Sequence, residues 1–208
     1  MRILVVGASG RTGLQVVEQA LGHGHDVTAF VRDASRMGLP RDSVRPVTGD
    51  VTVYEQVAPA VGGQDAVISV VGATPGREVH TYSDGTANLI RAMSARDVRR
   101  LVVLSSAGAG DTSGRLPVKY RLFRSAPGMR AVYEDMERME GDVMLSDLTW
   151  TIVRPARLTD GRQTGHYRSL EGSFVPKGSE ISRADLAALM LKCAETQMYA
   201  KMAVAAAY

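Results

Sequence analysis

Residues 3–13, with the sequence ILVVGASGRTG, decide the fold of this 208-residue chain. Four consecutive apolar residues are typical of a strand in the middle of a parallel sheet, where both faces are covered. Three glycines follow in the spacing GxxGxxG, and the apolar residues Leu14, Val17 and Leu21 after them predict a helix that ends near Gly22. A strand, a glycine-rich turn and a helix N-terminus together indicate a site for the pyrophosphate of a dinucleotide.

Each residue of the turn has a separate role in this prediction. Gly7 makes the tight turn, Gly10 lets the backbone approach the phosphates, and Gly13 lets the helix pack closely. Backbone N–H groups and the helix dipole meet the negative charge, and Ser9 and Thr12 can add hydroxyl donors. The alternative is a tight turn without a ligand, which the flanking strand and helix make less favourable.

The alternation of strand and helix continues along the chain. Apolar runs predict further strands over residues 26–31, 44–47, 66–71, 101–104 and 148–153. Apolar residues at helical spacing predict helices over residues 53–61, 82–95 and 131–145. This order predicts an α/β protein with a single-domain Rossmann fold, in which a doubly wound parallel β-sheet carries helices on both faces.

The remaining segments are predicted to serve the substrate side. We expect residues 1–208 to form one NAD(P)-binding domain whose C-terminal part, from about residue 155 to 208, is a small substrate-side region. A short strand around residues 166–168, a helix capped by Ser182, and an edge strand within residues 200–208 are predicted there. Residues 108–129, which contain Tyr120 and Phe123, break the rhythm as a long loop of the kind that often carries function.

Composition narrows the range of functions. The chain has 25 Lys and Arg against 22 Asp and Glu, an excess too small to favour nucleic acid as a partner. No apolar run approaches the length of a membrane span or of a signal-peptide core, so we expect a cytoplasmic protein. The single cysteine, Cys193, has apolar helical neighbours and is predicted to be a buried thiol. We expect no metal site, and a monomer or weak homodimer.

Arginines favour NADP(H) over NAD(H) as the cofactor. NAD-specific sites usually place an acidic residue at the end of the second strand, whereas NADP sites place a basic one there for the 2′-phosphate. Here that strand ends in Arg32, and Arg11 in the glycine turn is expected to face the same corner, with Arg36 also within reach. Asp33 follows at once and could serve a ribose instead, which keeps NAD open.

Other strand ends should lie along the cofactor. We expect Asp50 and Val51 to flank the adenine, and we expect Val71 and Gly72 to lie where the cofactor crosses the sheet. The later strands end on the same edge of the sheet, so the nicotinamide should lie near Ser105, Ser106 and Pro155. Packing alone could also explain each of these residues. Ser106 could hydrogen-bond a substrate carbonyl or the nicotinamide carboxamide.

The helix after the fifth predicted strand lacks the tyrosine–lysine pair that supplies the proton when short-chain dehydrogenases reduce a carbonyl. Short-chain dehydrogenases normally carry Tyr-x-x-x-Lys there, but Tyr133 is followed four residues later by Glu137. A lysine-assisted tyrosine acid is therefore not evident. An acceptor that takes hydride readily, such as a flavin, a quinone or a tetrapyrrole, needs less help with the proton.

Several stretches together resemble one family. They are residues 7–13, 30–33, 48–51, 84–90, 104–108, 150–155 and 181–193. The chain is similar over nearly its whole length to the atypical short-chain dehydrogenase/reductases with NAD(P)-binding, NmrA-like members, and within them to the flavin and biliverdin reductases.

The resemblance implies an NADPH-dependent reductase that transfers hydride to flavin or to a related planar acceptor, a biliverdin-like tetrapyrrole or a quinone. The flavin and biliverdin reductases have a serine at the position of Ser106, whereas Arg157 replaces their histidine. Arg157 could attract an anionic acceptor such as FMN or a propionate. The alternative is a non-catalytic NADP(H)-binding redox sensor of the NmrA type.

Overall fold

A computed structural model describes residues 1–37, 44–72, 79–110, 118, 122, 124–172 and 174–208. Within these ranges the strands are β1 (Arg2–Val6), β2 (Asp26–Val31), β3 (Arg45–Thr48), β4 (Ala66–Ser69), β5 (Arg100–Leu104), β6 (Thr149–Pro155), β7 (Arg157–Thr159), β8 (Arg168–Glu171), β9 (Glu180–Ser182) and β10 (Met202–Ala207). The helices are α1 (Arg11–Gly22), α2 (Tyr54–Val61), α3 (Thr81–Ala95), α4 (Met129–Leu145) and α5 (Arg183–Thr196), with a 3₁₀ turn at Ala34–Arg36.

Eight strands form the main sheet in the order β3-β2-β1-β4-β5-β6-β10-β8. All neighbours pair in parallel except β10 and β8, which are antiparallel. The strand order reverses its direction between β1 and β4, and in such a sheet ligands bind in the crevice beyond the carboxyl ends of the strands at that point. The predicted α/β Rossmann fold is confirmed.

The alternating residues of β1 enter two separate cores. Ile3 and Val5 pack with α1 and α5 on one face of the sheet. Leu4 and Val6 pack with α2, α3 and α4 on the other face. Each of these four side chains is at most 1% exposed. Because both faces are covered, the strand is a continuous apolar run, as a central parallel strand requires.

Two predictions for the C-terminal region were wrong. The last strand is not an edge strand, because β10 lies between β6 and β8. The short strand predicted at residues 166–168 lies instead at Arg168–Glu171, and this strand forms the edge. Residues 204–207 are at most 1% exposed, and an apolar run that is buried on both faces belongs inside a sheet. The sequence also did not predict the separate parallel pair of β7 and β9.

Cys193 lies in α5 and is fully buried, as predicted. Removal from water raises the pKa of its thiol to about 11, against a smaller opposite effect of Arg100 and Lys192. We expect the native protein to react with a thiol reagent at about pH 8 roughly 100-fold more slowly than the unfolded chain, because the thiol is both covered and protonated. Equal labelling rates in buffer and in denaturant would contradict this.

No helix in the described ranges is long and apolar enough to cross a membrane.

Candidate cofactor-binding site

A cavity of about 1380 Å³ opens beyond the carboxyl ends of the central strands. Small-molecule pockets usually measure about 300–1,000 Å³, so this one has room for a dinucleotide and a second ligand. Among the predicted site residues, those that line the cavity are Gly7, Ser9, Gly10, Arg11, Thr12, Arg32, Asp50, Val51, Val71, Gly72, Ser105, Ser106, Pro155 and Arg157. Residues far apart in the chain therefore meet at one place.

Two glycines of the turn, Gly7 and Gly13, have no space for a side chain. Gly7 has a φ of +83°, and a Cβ atom there would lie 2.9 Å from the carbonyl oxygen of Val70. Gly13 does not line the cavity but lies beneath the turn, where a Cβ atom would come within 2.3 Å of the carbonyl oxygen of Gly7. Gly10 is the N-cap of α1, and no side chain caps this helix. The backbone amides at its N-terminus thus fit the phosphates of a dinucleotide.

The end of the cavity beside β2 combines a cation with an acidic residue. Arg32 lines the cavity and is exposed, and no carboxylate lies within salt-bridge distance of it in the described part of the chain. Hydrogen bonds from the amide and hydroxyl groups of Thr52, with a smaller effect of the charge of Arg32, lower the pKa of Asp50. This end can accept a phosphate at Arg32 and ribose hydroxyls at Asp50.

Arg11 has a partner that the sequence did not predict. Its Nη1 atom lies 2.9 Å from Oδ2 of Asp160, whose other oxygen lies 2.6 Å from Nη1 of Arg183. The side chains of Arg11 and Asp160 are 71% and 63% exposed, so this ion pair contributes little free energy. Arg11 can leave Asp160 when a phosphate arrives. The side chain of Arg36 and residues 38–43 lie outside the described part of the chain.

A buried hydroxyl lies in the part of the cavity that follows β5. Ser105 is 4% exposed, and its Oγ atom has no hydrogen-bond partner among the described residues. Leaving a buried polar atom unpaired costs about 1–3 kcal/mol, whereas a cofactor amide or hydroxyl in the cavity would satisfy it. Val71, Gly72 and Pro155 line the same cavity. The residues present therefore fit a nicotinamide dinucleotide.

Tyr133 belongs to the site, although the sequence did not select it as a site residue. Its hydroxyl lies 3.2 Å from Oγ of Ser106, and both residues line the cavity. The ring packs on Gly108, where a Cβ atom would come within 2.6 Å of Cε1 of the tyrosine. Tyr133 occupies the usual position of the tyrosine in short-chain dehydrogenases, on the helix after β5. The sequence analysis did not select it because Glu137 stands where the lysine is expected.

Arg124 lies near this tyrosine, whose own helix lacks the usual lysine. The guanidinium carbon of Arg124 lies 5.7 Å from the centre of the Tyr133 ring, within the range of a cation–π contact. Nη1 of Arg124 donates to the carbonyl oxygen of Gly108 at 2.8 Å, and Nη2 lies 2.5 Å from Oε1 of Glu137. Glu137, at the position of the missing lysine, thus holds the arginine beside the tyrosine. Of the predicted loop 108–129, the structure does not describe Tyr120 or Phe123.

Two buried carboxylates position α4 and hence Tyr133. Asp135 accepts hydrogen bonds from the amide of Tyr82 at 2.8 Å and from the hydroxyl of Ser83, at the start of α3. Glu140 forms a two-point contact with Arg154 of β6, with N–O distances of 2.9 and 2.5 Å. Breaking such a buried pair costs about 3–5 kcal/mol. These contacts hold α4 against both α3 and the sheet.

Arg157 reaches the cavity from the C-terminal region but is already paired. Its guanidinium contacts the carboxylate of Glu180, which also lines the cavity. The sequence analysis predicted that Arg157 attracts an anionic acceptor, but the carboxylate of Glu180 already offsets its positive charge. The arginine side chain is 72% exposed, so an acceptor can still compete for it.

Comparison with known proteins places the chain in a family. Residues 7–197 match the profile of the family described as NAD(P)H-binding. The chain belongs to the NAD(P)H-binding family. The match confirms the resemblance to atypical short-chain dehydrogenase/reductases that the sequence motifs indicated.

Relatives of this NAD(P)H-binding protein include two whose sequences align over most of the chain. The uncharacterized protein YwnB of Bacillus subtilis is 31% identical over 201 residues, which cover 92% of this chain and 91% of YwnB. The 3-diazoavenalumate denitrifying reductase of a Streptomyces species is 33% identical over 184 residues, which cover 81% of this chain but only 59% of the reductase. This chain therefore spans less than two thirds of that enzyme.

Among solved structures, the fold of ChuY from Escherichia coli O157:H7, described as an anaerobilin reductase, is similar. The TM-score is 0.82, and the alignment covers 100% of this chain and 97% of ChuY at 23% identity. At this identity the similarity shows the fold alone.

Proposed function

We propose that this protein is an NADPH-dependent reductase that transfers hydride to a planar conjugated acceptor, with flavins such as FMN as the leading class and quinones or biliverdin-like tetrapyrroles as related ones. The observation that carries the proposal is that three apolar residues of α4, Met129, Val132 and Met136, line the same cavity as Ser105 and Ser106. A flat ring system can lie against these side chains beside the nicotinamide.

One relative supports the reductase class, because the Streptomyces protein is named a reductase. ChuY is also named a reductase, but it contributes only the fold. Neither name settles the acceptor of this chain, because one relative is much longer and the other shares only the fold. The acceptor is therefore argued from the site itself.

The choice of NADPH rests on Arg32. Bidentate guanidinium–phosphate contacts are among the strong polar interactions in proteins, and Arg32 lines the cavity at the end of β2, where the 2′-phosphate of NADPH would lie. Arg11 can add a second contact once it leaves Asp160.

When bound, NADPH supplies the hydride. The chain positions the acceptor and handles the proton. We propose that the hydroxyl groups of Ser106 and Tyr133, 3.2 Å apart, form a short donor pair that hydrogen-bonds the acceptor and supplies its proton. Arg124 is then a positioning residue for Tyr133. We propose further that residues from about 155 to 208 form the substrate side, where Arg157 exchanges Glu180 for the negative group of an anionic acceptor.

The hydroxyl pair is tested by removing one oxygen atom. We expect Tyr133→Phe to lower kcat about 10-fold while NADPH affinity stays unchanged, because an acceptor that takes hydride readily depends only partly on a protein proton donor. Tyr199→Phe is the matched control, since the hydroxyl of Tyr199 lies 2.9 Å from Oγ of Ser169 and Tyr199 does not line the cavity. Equal kcat in wild type and Tyr133→Phe would remove Tyr133 from the proton step.

The function itself is tested by NADPH oxidation with FMN, riboflavin, a quinone and biliverdin, followed by absorbance. We expect turnover with at least one flavin, and a lower KM for FMN than for riboflavin if Arg157 binds the phosphate. Tight NADPH binding without turnover of any acceptor would overturn the reductase proposal. That outcome, together with a co-purifying protein partner, would favour the redox-sensor alternative.

A further inference from the structure

Two histidines and a glutamate converge on the side of the molecule away from the cavity. Nδ1 of His23 lies 2.8 Å from Oε1 of Glu195, and Nε2 of His25 lies 2.7 Å from the same oxygen. One ligand atom from each of the three residues lies within 4.8 Å of the other two. Within the described part of the chain, this is the one group of three or more such side chains close enough to share an ion.

The backbone around the two histidines is well fixed. His23 is the C-cap of α1, and its amide donates to the carbonyl oxygen of Gln19 at 2.9 Å. Gly24 follows with a φ of +76°, and the amide of His25 then donates to Ala20 at 3.0 Å. This turn directs both imidazoles toward the last turn of α5. The side chain of Gln19 also donates to the carbonyl oxygen of Ala184 at 2.9 Å, which holds α1 against α5.

One carboxylate oxygen already faces both imidazoles. Oε1 of Glu195 lies within hydrogen-bond distance of Nδ1 of His23 and of Nε2 of His25. The side chains of His25 and Glu195 are 12% and 23% exposed, whereas that of His23 is 57% exposed. The cluster is therefore partly sheltered and still open to an ion from solvent.

We propose that His23, His25 and Glu195 bind a divalent transition-metal ion, with Zn²⁺ as the best match. Imidazole nitrogens and a carboxylate oxygen are usual zinc ligands, at about 2.0–2.2 Å from the metal. Ligand atoms of a tetrahedral site are about 3.3 Å apart at those bond lengths, so the present contacts must open by roughly 0.5 Å, which side-chain rotation provides. Water completes the coordination.

Binding exchanges protons for metal. When the ion enters, the hydrogen on each ligating ring nitrogen moves to the other nitrogen of that ring or is released to water. The amino group of Met1 lies 3.3 Å from Nδ1 of His25, the ring nitrogen that faces away from Glu195. The metal then joins the end of α1 to the end of α5.

The position of the site makes its role structural. The twelve residues of α1 extend about 18 Å from the glycine turn to the histidines. We therefore expect zinc to stabilise the fold without changing NADPH affinity, so the metal site and the proposed reductase activity can fail separately.

The test uses the full chain without an affinity tag, first treated with a chelator. We expect calorimetry with ZnCl₂ at neutral pH to give one zinc per chain, and Tm to rise by about 5–10 °C at a free zinc concentration about 100 times Kd. His23→Ala and Glu195→Gln should each weaken zinc binding by about 100-fold or more, since even outer-sphere partners are worth about 10–100-fold.

His166→Ala is the matched control, because His166 is exposed and lies outside the cluster. It should bind zinc as the wild type does, and NADPH titration should verify that all variants are folded. Absence of zinc binding, or equal zinc affinity in the wild type and in folded His23→Ala and Glu195→Gln, would overturn the proposal. Loss of binding in His166→Ala to the same extent would also overturn it.

Discussion

Gly13→Ala should reduce NADPH affinity by about 100-fold or more. The new Cβ atom would lie 2.3 Å from the carbonyl oxygen of Gly7 and 2.8 Å from the Cα atom of Ala8. Both neighbours are backbone atoms, so the turn itself must move. Even a displacement of about 1 Å removes aligned backbone hydrogen bonds to the pyrophosphate. Fluorescence titration with NADPH measures the loss, and a lower Tm should accompany it.

The same helix provides the control for this substitution. Gly22 is the last residue of α1, and a Cβ atom there meets nothing within 4 Å. Gly22→Ala should therefore leave NADPH binding intact and stabilise the protein by up to about 1 kcal/mol, because alanine loses less backbone entropy in a helix. If Gly13→Ala binds NADPH as tightly as Gly22→Ala, the glycine turn is not the pyrophosphate site.

Arg32→Ala should lower NADPH affinity about 30-fold and leave NADH affinity nearly unchanged. The factor corresponds to about 2 kcal/mol, a typical value for a hydrogen bond to a charged group. The 2′-phosphate is the only group that distinguishes the two cofactors, so the change in their affinity ratio isolates its contact. Raising the salt concentration should weaken NADPH binding to the wild type more than to the variant.

An arginine on the neighbouring strand controls for net charge. Arg45 begins β3, is exposed and does not line the cavity. Arg45→Ala should leave the ratio of NADPH to NADH affinity as in the wild type. An unchanged ratio in Arg32→Ala would instead assign the 2′-phosphate to Arg11, or it would show that the protein does not distinguish the cofactors.

Local features of the site could be predicted because a few neighbouring residues determine them. The apolar residues 3–6 require a strand that is covered on both faces of the sheet. Gly7 and Gly13 allow backbone contacts that a Cβ atom would block. Arg32 was predictable for the same reason, since the end of β2 lies beside the glycine turn in any fold of this kind. Placement in one cavity required only that parallel strands end on the same edge.

Contacts between distant segments could not be predicted. Ser106 and Tyr133 are 27 residues apart, and they meet because Asp135 and Glu140 hold α4 in one orientation. Arg11 and Asp160 are 149 residues apart. The wrong edge strand has the same origin, because the place of β10 depends on which strands pair with it and not on its position in the chain.

By itself, the sequence determined the order of strands and helices, the glycine turn and the positive charge of Arg32 at the end of β2. Periodicity, glycine and strand-end charge act over a few residues, so their consequences can be deduced without coordinates. Tertiary structure alone decided which hydroxyl lies beside Ser106 and which carboxylates pair with Arg11 and Arg157. It also decided that His23 and His25 contact Glu195, about 170 residues away in the chain. Those meetings depend on how helices pack across the sheet, and many weak contacts along the whole chain determine that packing.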